Sequence, residues 1–148
     1  MPLFERLGYA GLLPFIAATL AIPFGVHGAE SFFIVYSAFI LSFMSGSCWG
    51  VQQAHPDRAN NIDLSIAIGV FLWGWLMYFM PFTYALWGLL VGFISLLLLE
   101  QRPLYVKTYS RSYRRLRWVL TMVVSTCHIV LLISVSYTHL TLPTNREV

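Results

Sequence analysis

The chain alternates between long apolar blocks and short polar segments. Five apolar blocks cover residues 7–26, 31–51, 62–80, 82–99 and 118–134. Each block is long enough to cross a bilayer, because a transmembrane helix needs about 20 apolar residues. Backbone groups inside a bilayer must satisfy their hydrogen bonds within the protein, which favours helices over isolated strands. The pattern therefore predicts an all-α polytopic transmembrane bundle with about five spans.

The polar connections are too short to fold as a separate domain. Composition agrees, since 58% of the residues are hydrophobic and only 10% are charged, whereas soluble domains carry about 25% charged residues. A disordered chain and a disulfide-stapled secreted module are both excluded. The first apolar block continues past the length of a signal-peptide core, so we interpret it as a span. We expect one membrane domain over residues 1–134.

Residues 135–148 need a separate interpretation. Their sequence, VSYTHLTLPTNREV, can be back-translated codon by codon into the linker of a transposase-based sequencing library. We interpret this segment as a non-native read-through tail and leave it out of the fold prediction. An ordinary polar tail is the alternative.

The basic residues predict an orientation. All those before the tail fall on one side of the predicted spans: Arg6, Arg58, Arg102, Lys107, Arg111, Arg114, Arg115 and Arg117. Cytoplasmic loops near membrane spans retain positive residues. We therefore expect a multi-pass protein of the bacterial inner (plasma) membrane, with the N-terminus cytoplasmic and the native C-terminus outside. The net charge of +3 is then a topology signal, and no nucleic-acid partner is expected.

The segment 100–117 predicts an amphipathic surface at the membrane interface. Aromatic and basic side chains recur there at helical spacing: Tyr105, Lys107, Tyr109, Arg111, Tyr113, Arg114 and Arg115. Tyrosines suit the headgroup region, and basic side chains attract anionic lipid headgroups. A plain cytoplasmic anchor is the preferred interpretation, and a surface that docks a partner or senses lipid is the alternative. Glu100 can pair with Arg102.

Small residues at intervals of four predict seams where helices pack closely. The second span carries Ala38, Ser42, Gly46 and Gly50, with Trp49 near its inner end, and the fourth span carries Gly88 and Gly92. Small side chains let helix backbones approach in a bilayer. We expect Gly46 to be the tightest point of the second span. Prolines 14 and 23 and Gly74 allow kinks.

The second span also carries a resemblance. Residues 36–50, with residues 8–15 and 113–117, resemble a family of small five-span integral membrane proteins known as a domain of unknown function. That family includes bacterial inner-membrane proteins and a related mitochondrial inner-membrane transmembrane protein. Its most recognisable element, Ser-Phe-x-x-Gly-x-x-Trp-Gly, corresponds here to Ser42, Phe43, Gly46, Trp49 and Gly50. The resemblance covers nearly all of residues 7–134 and implies the same fold and location, but no activity.

Polar residues deep in the membrane are the candidates for chemistry. Thr121, Ser125 and His128 share one face of the last span. That face suits a proton relay, a metal or haem ligand, or an interhelical hydrogen bond, which is the preferred interpretation. A metal or haem site needs a second ligand at the same depth, and we predict no metal, cofactor or catalytic residue. Cys48 and Cys127 lie at different depths and are expected to be free thiols.

Two classes of function remain. The first is a non-enzymatic structural, assembly or accessory component of the membrane, because the sequence offers several packing seams and one basic surface. The alternative is a small oligomeric carrier or channel that uses the face of Thr121, Ser125 and His128. Expected partners are the lipid bilayer with its anionic headgroups, and either further copies of this chain or another membrane protein.

Overall fold

The computed structural model describes residues 1–141, and the side chains of residues 1–138. These residues form seven α-helices and no strand: α1 Leu3–Ala10, α2 Leu13–Ala21, α3 Ala29–Ala54, α4 Asn61–Met77, α5 Phe82–Leu99, α6 Pro103–Thr108 and α7 Arg111–Thr141. Two 3₁₀ segments, Ile22–Phe24 and Pro56–Arg58, follow α2 and α3. The predicted all-α class is confirmed. Of the proposed tail, residues 135–141 continue α7, and residues 142–148 lie outside the described residues.

Four helical segments are long and apolar enough to cross a membrane: Leu3–Phe24, Ala29–Ala54, Phe82–Leu99 and Arg111–Thr138. The remaining apolar helix, α4, has 17 residues. At 1.5 Å per residue it is about 26 Å long, somewhat less than the ~30 Å thickness of the hydrocarbon layer. The chain is therefore a helical membrane protein with four full-length candidate spans and a shorter fifth helix.

The first span is interrupted near its middle. Helix α1 ends at Ala10 and α2 begins at Leu13, because Pro14 has no N–H for the carbonyl of Ala10 and its ring would collide with that carbonyl. The Gly11 N–H closes α1 by donating to carbonyls of the preceding turn. The hydroxyl of Tyr36, on α3, donates to the Gly11 carbonyl at 2.9 Å. The predicted kink is thus a short interruption at Gly11 and Leu12, both of which keep right-handed helical angles, and it is tied to the neighbouring helix.

Two glycines turn the chain from the first span into α3. Gly25 and Gly28 have φ angles of 70° and 78°, a left-handed conformation that only glycine adopts at little cost. Gly25 ends the 3₁₀ segment, and Gly28 immediately precedes α3. The polar connection between the first two spans is therefore a tight turn.

Helices α3 and α5 form the centre of the bundle. Helix α3 packs against α2, α4 and α5, while α5 also packs against α4 and α7. The side chains of Ala85, Leu86, Leu89, Phe93 and Leu96 in α5 are completely buried. Helices α1 and α2 close the bundle by packing against α7, and α2 also contacts α3. This arrangement places the start of α7 beside the first span.

The outer surface of the bundle is strongly apolar. Large side chains such as Phe39, Phe43, Trp75 and Trp87 are more than half exposed. In water so much exposed apolar surface would favour aggregation, whereas in a bilayer it faces lipid of the same polarity. The outer surface of the bundle is therefore suited to contact with the hydrocarbon chains of a membrane.

The basic segments meet at one end of the bundle. The ring of Phe4 lies 6.2 Å from that of Tyr113, and the Ser112 hydroxyl donates to the Glu5 carboxylate. The Gln52 side chain links residues 55–60 to this region, because its carbonyl oxygen accepts from the N–H of Asn60 at 3.0 Å and its amide donates to the Tyr105 hydroxyl at 2.9 Å. We call this region, formed by residues 1–6, 55–60 and 100–115, the basic end. The N-terminus and the segment 100–117 therefore lie on the same side of the bundle.

Candidate functional site

Two glycines of α5 lie at close helix crossings. A Cβ added to Gly92 would come within 2.7 Å of Leu41 Cδ2, and one added to Gly88 would collide with the Met77 sulfur. Leu41 of α3 is fully buried, and a Cβ on Gly74 of α4 would approach its Cδ2 to 3.2 Å. Leu41 thus occupies a space that Gly74 and Gly92 leave open. The helix is unbroken at Gly74, so this glycine makes room for Leu41 and does not produce a kink.

The prediction that Gly46 is the tightest point of its span is wrong within this chain. A Cβ added to Gly46 or to Gly50 would meet no atom within 4 Å. The reason is the rotation of α3, which turns Leu41 and Ser45 inward and leaves both glycines on the outer surface. Ala38 packs partly against the core, and Ser42 donates to the Ala38 carbonyl of its own helix at 2.8 Å.

The Ser42–Gly50 motif therefore faces outward. Phe43 is 73% exposed and Trp49 is 47% exposed. Beside Gly46 a groove of about 470 Å³ runs between α3 and α4, and we call it the α3–α4 groove. Its lining residues are Ser42, Ser45, Gly46, Trp49, Ala67, Ile68 and Phe71. The hydroxyl of Ser45 donates to the Ala67 carbonyl and joins the two helices beneath the groove.

The segment 100–117 is not one amphipathic helix. It divides into α6 and the first turns of α7, with a break at Tyr109 and Ser110. Lys107, Arg111 and Arg115 are exposed, while Tyr113 and Arg114 are partly buried. The expected aromatic and basic faces are thus split between two helices.

Tyr105 is fully buried rather than interfacial. Its phenolic oxygen accepts a hydrogen bond from the Gln52 amide at 2.9 Å. Burial raises the pKa of Tyr105 to about 12, because the charged phenolate loses hydration. Burial also raises the pKa of Tyr109. These tyrosines pack between α6 and α3 and lie inside the basic end.

A buried ion pair joins α5 to α7. Glu100 and Arg117 are only 4% and 3% exposed, and the guanidinium donates from Nε to Glu100 Oε2 at 3.0 Å and from Nη2 to Oε1. The thiol of Cys48 lies 3.6 Å from the same carboxylate. The suggested Glu100–Arg102 pair does not form, because Arg102 instead lies 3.6 Å from Asp63. Glu100 therefore holds the start of the last span.

The polar face of α7 is only partly enclosed. Thr121 and His128 are 2% and 0% exposed, while Ser125 is partly buried. His128 Nδ1 is 2.8 Å from the Val124 carbonyl, which requires a proton on Nδ1, and in the neutral imidazole Nε2 is then an acceptor. Neither His128 Nε2 nor the Thr121 hydroxyl has a hydrogen-bond partner among the described residues.

Aromatic rings surround His128. The ring centroids of Phe33, Phe93 and Phe15 lie 4.8, 5.7 and 6.4 Å from that of His128. Phe15 and Phe93 also form part of the wall of a neighbouring cavity.

The two expected free thiols are confirmed, since Cys48 and Cys127 are both unbridged.

That neighbouring cavity lies between the first span and α7, and we call it the α1–α7 cavity. Its volume is about 390 Å³. Helices α1, α2, α3, α5 and α7 contribute the lining residues: Phe4, Leu7, Gly8, Gly11, Leu12, Phe15, Ile40, Phe43, Met44, Phe93, Tyr113, Leu116, Arg117, Leu120, Thr121 and Val124. Most of these side chains are apolar. Arg117 and Thr121 bring buried polar groups to one wall.

Comparison with known protein families identifies the chain. A sequence model of the family described as "Protein of unknown function (DUF3429)" matches residues 2–133. The chain belongs to the DUF3429 family. This confirms the expected membership of a family defined by a domain of unknown function. No curated protein and no solved structure shows significant similarity to the chain.

In this DUF3429 chain the most informative residue that sequence reasoning missed is Arg117. It precedes Thr121 by four residues, as Thr121 precedes Ser125, so the polar face of α7 continues one turn toward the basic end. Extending this four-residue spacing by one turn predicts that Arg117 lies inside the bundle. A buried arginine in turn needs a buried carboxylate as its partner. The DUF3429 match includes this face, the α3–α4 groove and the whole wall of the α1–α7 cavity.

Proposed function

We propose that the chain is a non-enzymatic accessory component of a bacterial inner membrane, and that a transmembrane helix of another membrane protein docks in the α3–α4 groove. The observation that carries this proposal is the outward position of Gly46 and Gly50. Apart from the adjacent residues and the local backbone of α3, no atom of the described chain lies within 4 Å of a Cβ added at either glycine. A glycine on an outer helix face allows a second backbone to approach closely, which is the main source of helix–helix attraction in lipid.

The groove has the features of such a contact. Trp49, Ile68 and Phe71 provide apolar walls, and Ser45 is already satisfied by the Ala67 carbonyl. A helix docked in the groove would therefore not bury an unsatisfied serine hydroxyl. Close packing against small residues and aromatic walls suits an apolar transmembrane segment.

The proposal includes an orientation with the basic end in the cytoplasm. Exposed Lys107, Arg111 and Arg115 would contact anionic headgroups there, each contributing about 1 kcal/mol. Phosphatase and fluorescent-protein fusions within residues 103–115 test this orientation. Fluorescence without phosphatase activity is expected, and phosphatase activity would exclude it, because that enzyme folds only outside the cytoplasm.

A pair of glycine variants tests the docking surface. Gly46→Leu fills the groove, whereas Gly69→Leu, on the outer face of α4, is a matched control because a Cβ at Gly69 also meets no atom within 4 Å. Both variants should fold, since both side chains would face lipid. After purification in a mild detergent, the parent and Gly69→Leu should co-purify with one stoichiometric membrane protein, and Gly46→Leu should lose it.

Mass measurement of the purified particle distinguishes the alternatives. A stable complex containing a different membrane protein supports the proposal. A homo-oligomer that Gly46→Leu dissociates would assign the groove to a second copy of this chain and refute the accessory role. If Gly46→Leu left the complex intact, the groove would not be part of the interface.

The second candidate is a small carrier or channel, and it is favoured by buried His128, whose Nε2 has no hydrogen-bond partner within the described part of the chain. Transport sites usually gather several polar groups near the midplane, and Thr121 and Ser125 are on the same face. His128→Phe keeps an aromatic ring among Phe15, Phe33 and Phe93. Proton or solute flux into liposomes that His128→Phe abolishes, with unchanged thermal stability, would support a carrier over the accessory role.

A further inference from the structure

The α1–α7 cavity has the size and lining of a small-molecule site. Pockets for small ligands usually measure about 300–1,000 Å³ and combine apolar walls with a few polar groups, and this cavity measures about 390 Å³. The exposed side chains of Leu7 and Phe43 lie on its rim. Because these side chains face the surrounding bilayer, an apolar molecule could enter from the lipid.

The hydroxyl of Thr121 differs from those of three other helical threonines. Thr19, Thr108 and Thr126 each donate to the carbonyl four residues earlier, at 2.7–2.8 Å. Thr121 makes no such bond, although it is 2% exposed. A threonine in a helix has two accessible rotamers, and rotation about its Cα–Cβ bond moves the hydroxyl from one staggered position to another. The hydroxyl is thus a donor available to a molecule in the cavity.

Arg117 limits the charge of such a molecule. Its guanidinium already donates from Nε and Nη2 to the Glu100 carboxylate. The positive charge at the cavity wall is therefore neutralised within the protein. An anionic head would gain little from Arg117 and would lose its hydration, so the site suits a neutral molecule.

We propose that the α1–α7 cavity binds a neutral lipid-soluble molecule whose carbonyl oxygen accepts a hydrogen bond from the Thr121 hydroxyl. The apolar body of the molecule lies against side chains of the first span and α7, such as Leu12, Phe15 and Leu120. Membrane quinones, through a ring carbonyl, and membrane lipids, through an ester carbonyl, both have this chemistry. This site is separate from the α3–α4 groove and does not depend on the proposed docking role.

Two probes and three variants test the proposal. The purified full chain is titrated in detergent with a decyl-substituted ubiquinone analogue and, in a second arm, with dioleoylglycerol, a neutral lipid with ester carbonyls. Bound molecules are counted by native mass spectrometry. Thr121→Val removes the hydroxyl and keeps the side-chain shape, and Thr126→Val is the matched control on the outer face of α7. Leu120→Phe narrows the cavity.

We expect one of the two probes to bind with a stoichiometry of one. The arm in which binding occurs shows whether the cavity takes a quinone or a lipid. Thr121→Val should weaken binding about three- to tenfold, the usual effect of losing one hydrogen bond, without lowering thermal stability. Thr126→Val should bind like the parent, and Leu120→Phe should bind much less.

Three results would overturn the proposal. The first is no saturable binding of either probe. The second is binding that Thr121→Val and Thr126→Val leave equally unchanged, which would indicate nonspecific filling by lipid. The third is a loss of stability in Thr121→Val that matches its loss of binding, since the threonine would then have a structural role. Because Thr121→Val buries no new polar group, it remains a usable variant if Leu120→Phe fails to fold.

Discussion

Replacing Gly92 by alanine tests the close contact between α3 and α5. The new methyl group would lie 2.7 Å from Leu41 Cδ2. Leu41 is fully buried, so its side chain has little free space into which to move. Either the Leu41 side chain leaves its preferred rotamer or α3 and α5 move apart.

The expected magnitude follows from two opposing effects. Glycine to alanine within a helix stabilises by up to about 1 kcal/mol, whereas overpacking a core costs about 1–3 kcal/mol. Gly69→Ala measures the first effect alone, because its surroundings are open. We therefore expect the free energy of unfolding of Gly92→Ala to be about 1–3 kcal/mol lower than that of Gly69→Ala.

Reversible unfolding in mixed micelles, followed by circular dichroism, measures these free energies. A double-mutant cycle with Leu41→Ala isolates the contact, since removing the leucine side chain should make Gly92→Ala as favourable as Gly69→Ala. If Gly92→Ala stabilised the full-length parent as much as Gly69→Ala does, the close approach of α3 and α5 would be refuted.

Two further predictions concern the basic end. Glu100→Gln should lower the free energy of unfolding by about 3–5 kcal/mol, because it leaves the buried Arg117 charge without a counter-charge. The exposed control Glu30→Gln should change this free energy little. Equal effects of the two variants in chemical unfolding would contradict the buried pair. Stability should fall as the pH rises from 10 to about 12, because the fold favours the neutral phenol of Tyr105 and loses that contribution as the phenol ionises. Tyr105→Phe should make this part of the pH–stability curve flatter, and an unchanged curve would assign the effect to other groups.

The helices could be predicted well from the sequence, because apolar length and proline positions act locally. The block 82–99 coincides with α5, and Pro14 accounts for the interruption of the first span. Helix α4 ends at Met77, earlier than the predicted 80, because the chain must turn before Pro81 can precede α5. The predicted fifth span begins at residue 118, whereas α7 begins at Arg111, because the charged residues of its first turns are interpreted as a separate interfacial segment.

The candidate sites were less predictable, because they depend on helix rotation. Small residues at intervals of four indicate that a helix face can pack, but not which neighbour it meets. For Gly92 that neighbour is Leu41 of this chain, whereas the face of Gly46 is open. The pairing of Glu100 with Arg117 likewise depends on how α5 and α7 lie against each other. Such information resides in tertiary packing.

The ion pair between α5 and α7 also has a consequence for biogenesis. Arg117 follows Glu100 by 17 residues, so a ribosome releases the carboxylate first. Until the last helix is inserted, Glu100 must stay hydrated at the bilayer surface, because a lone buried carboxylate is costly. Final docking of α5 at this end therefore awaits the last helix. A chain stalled before residue 117 would therefore leave this carboxylate without its partner at the membrane surface.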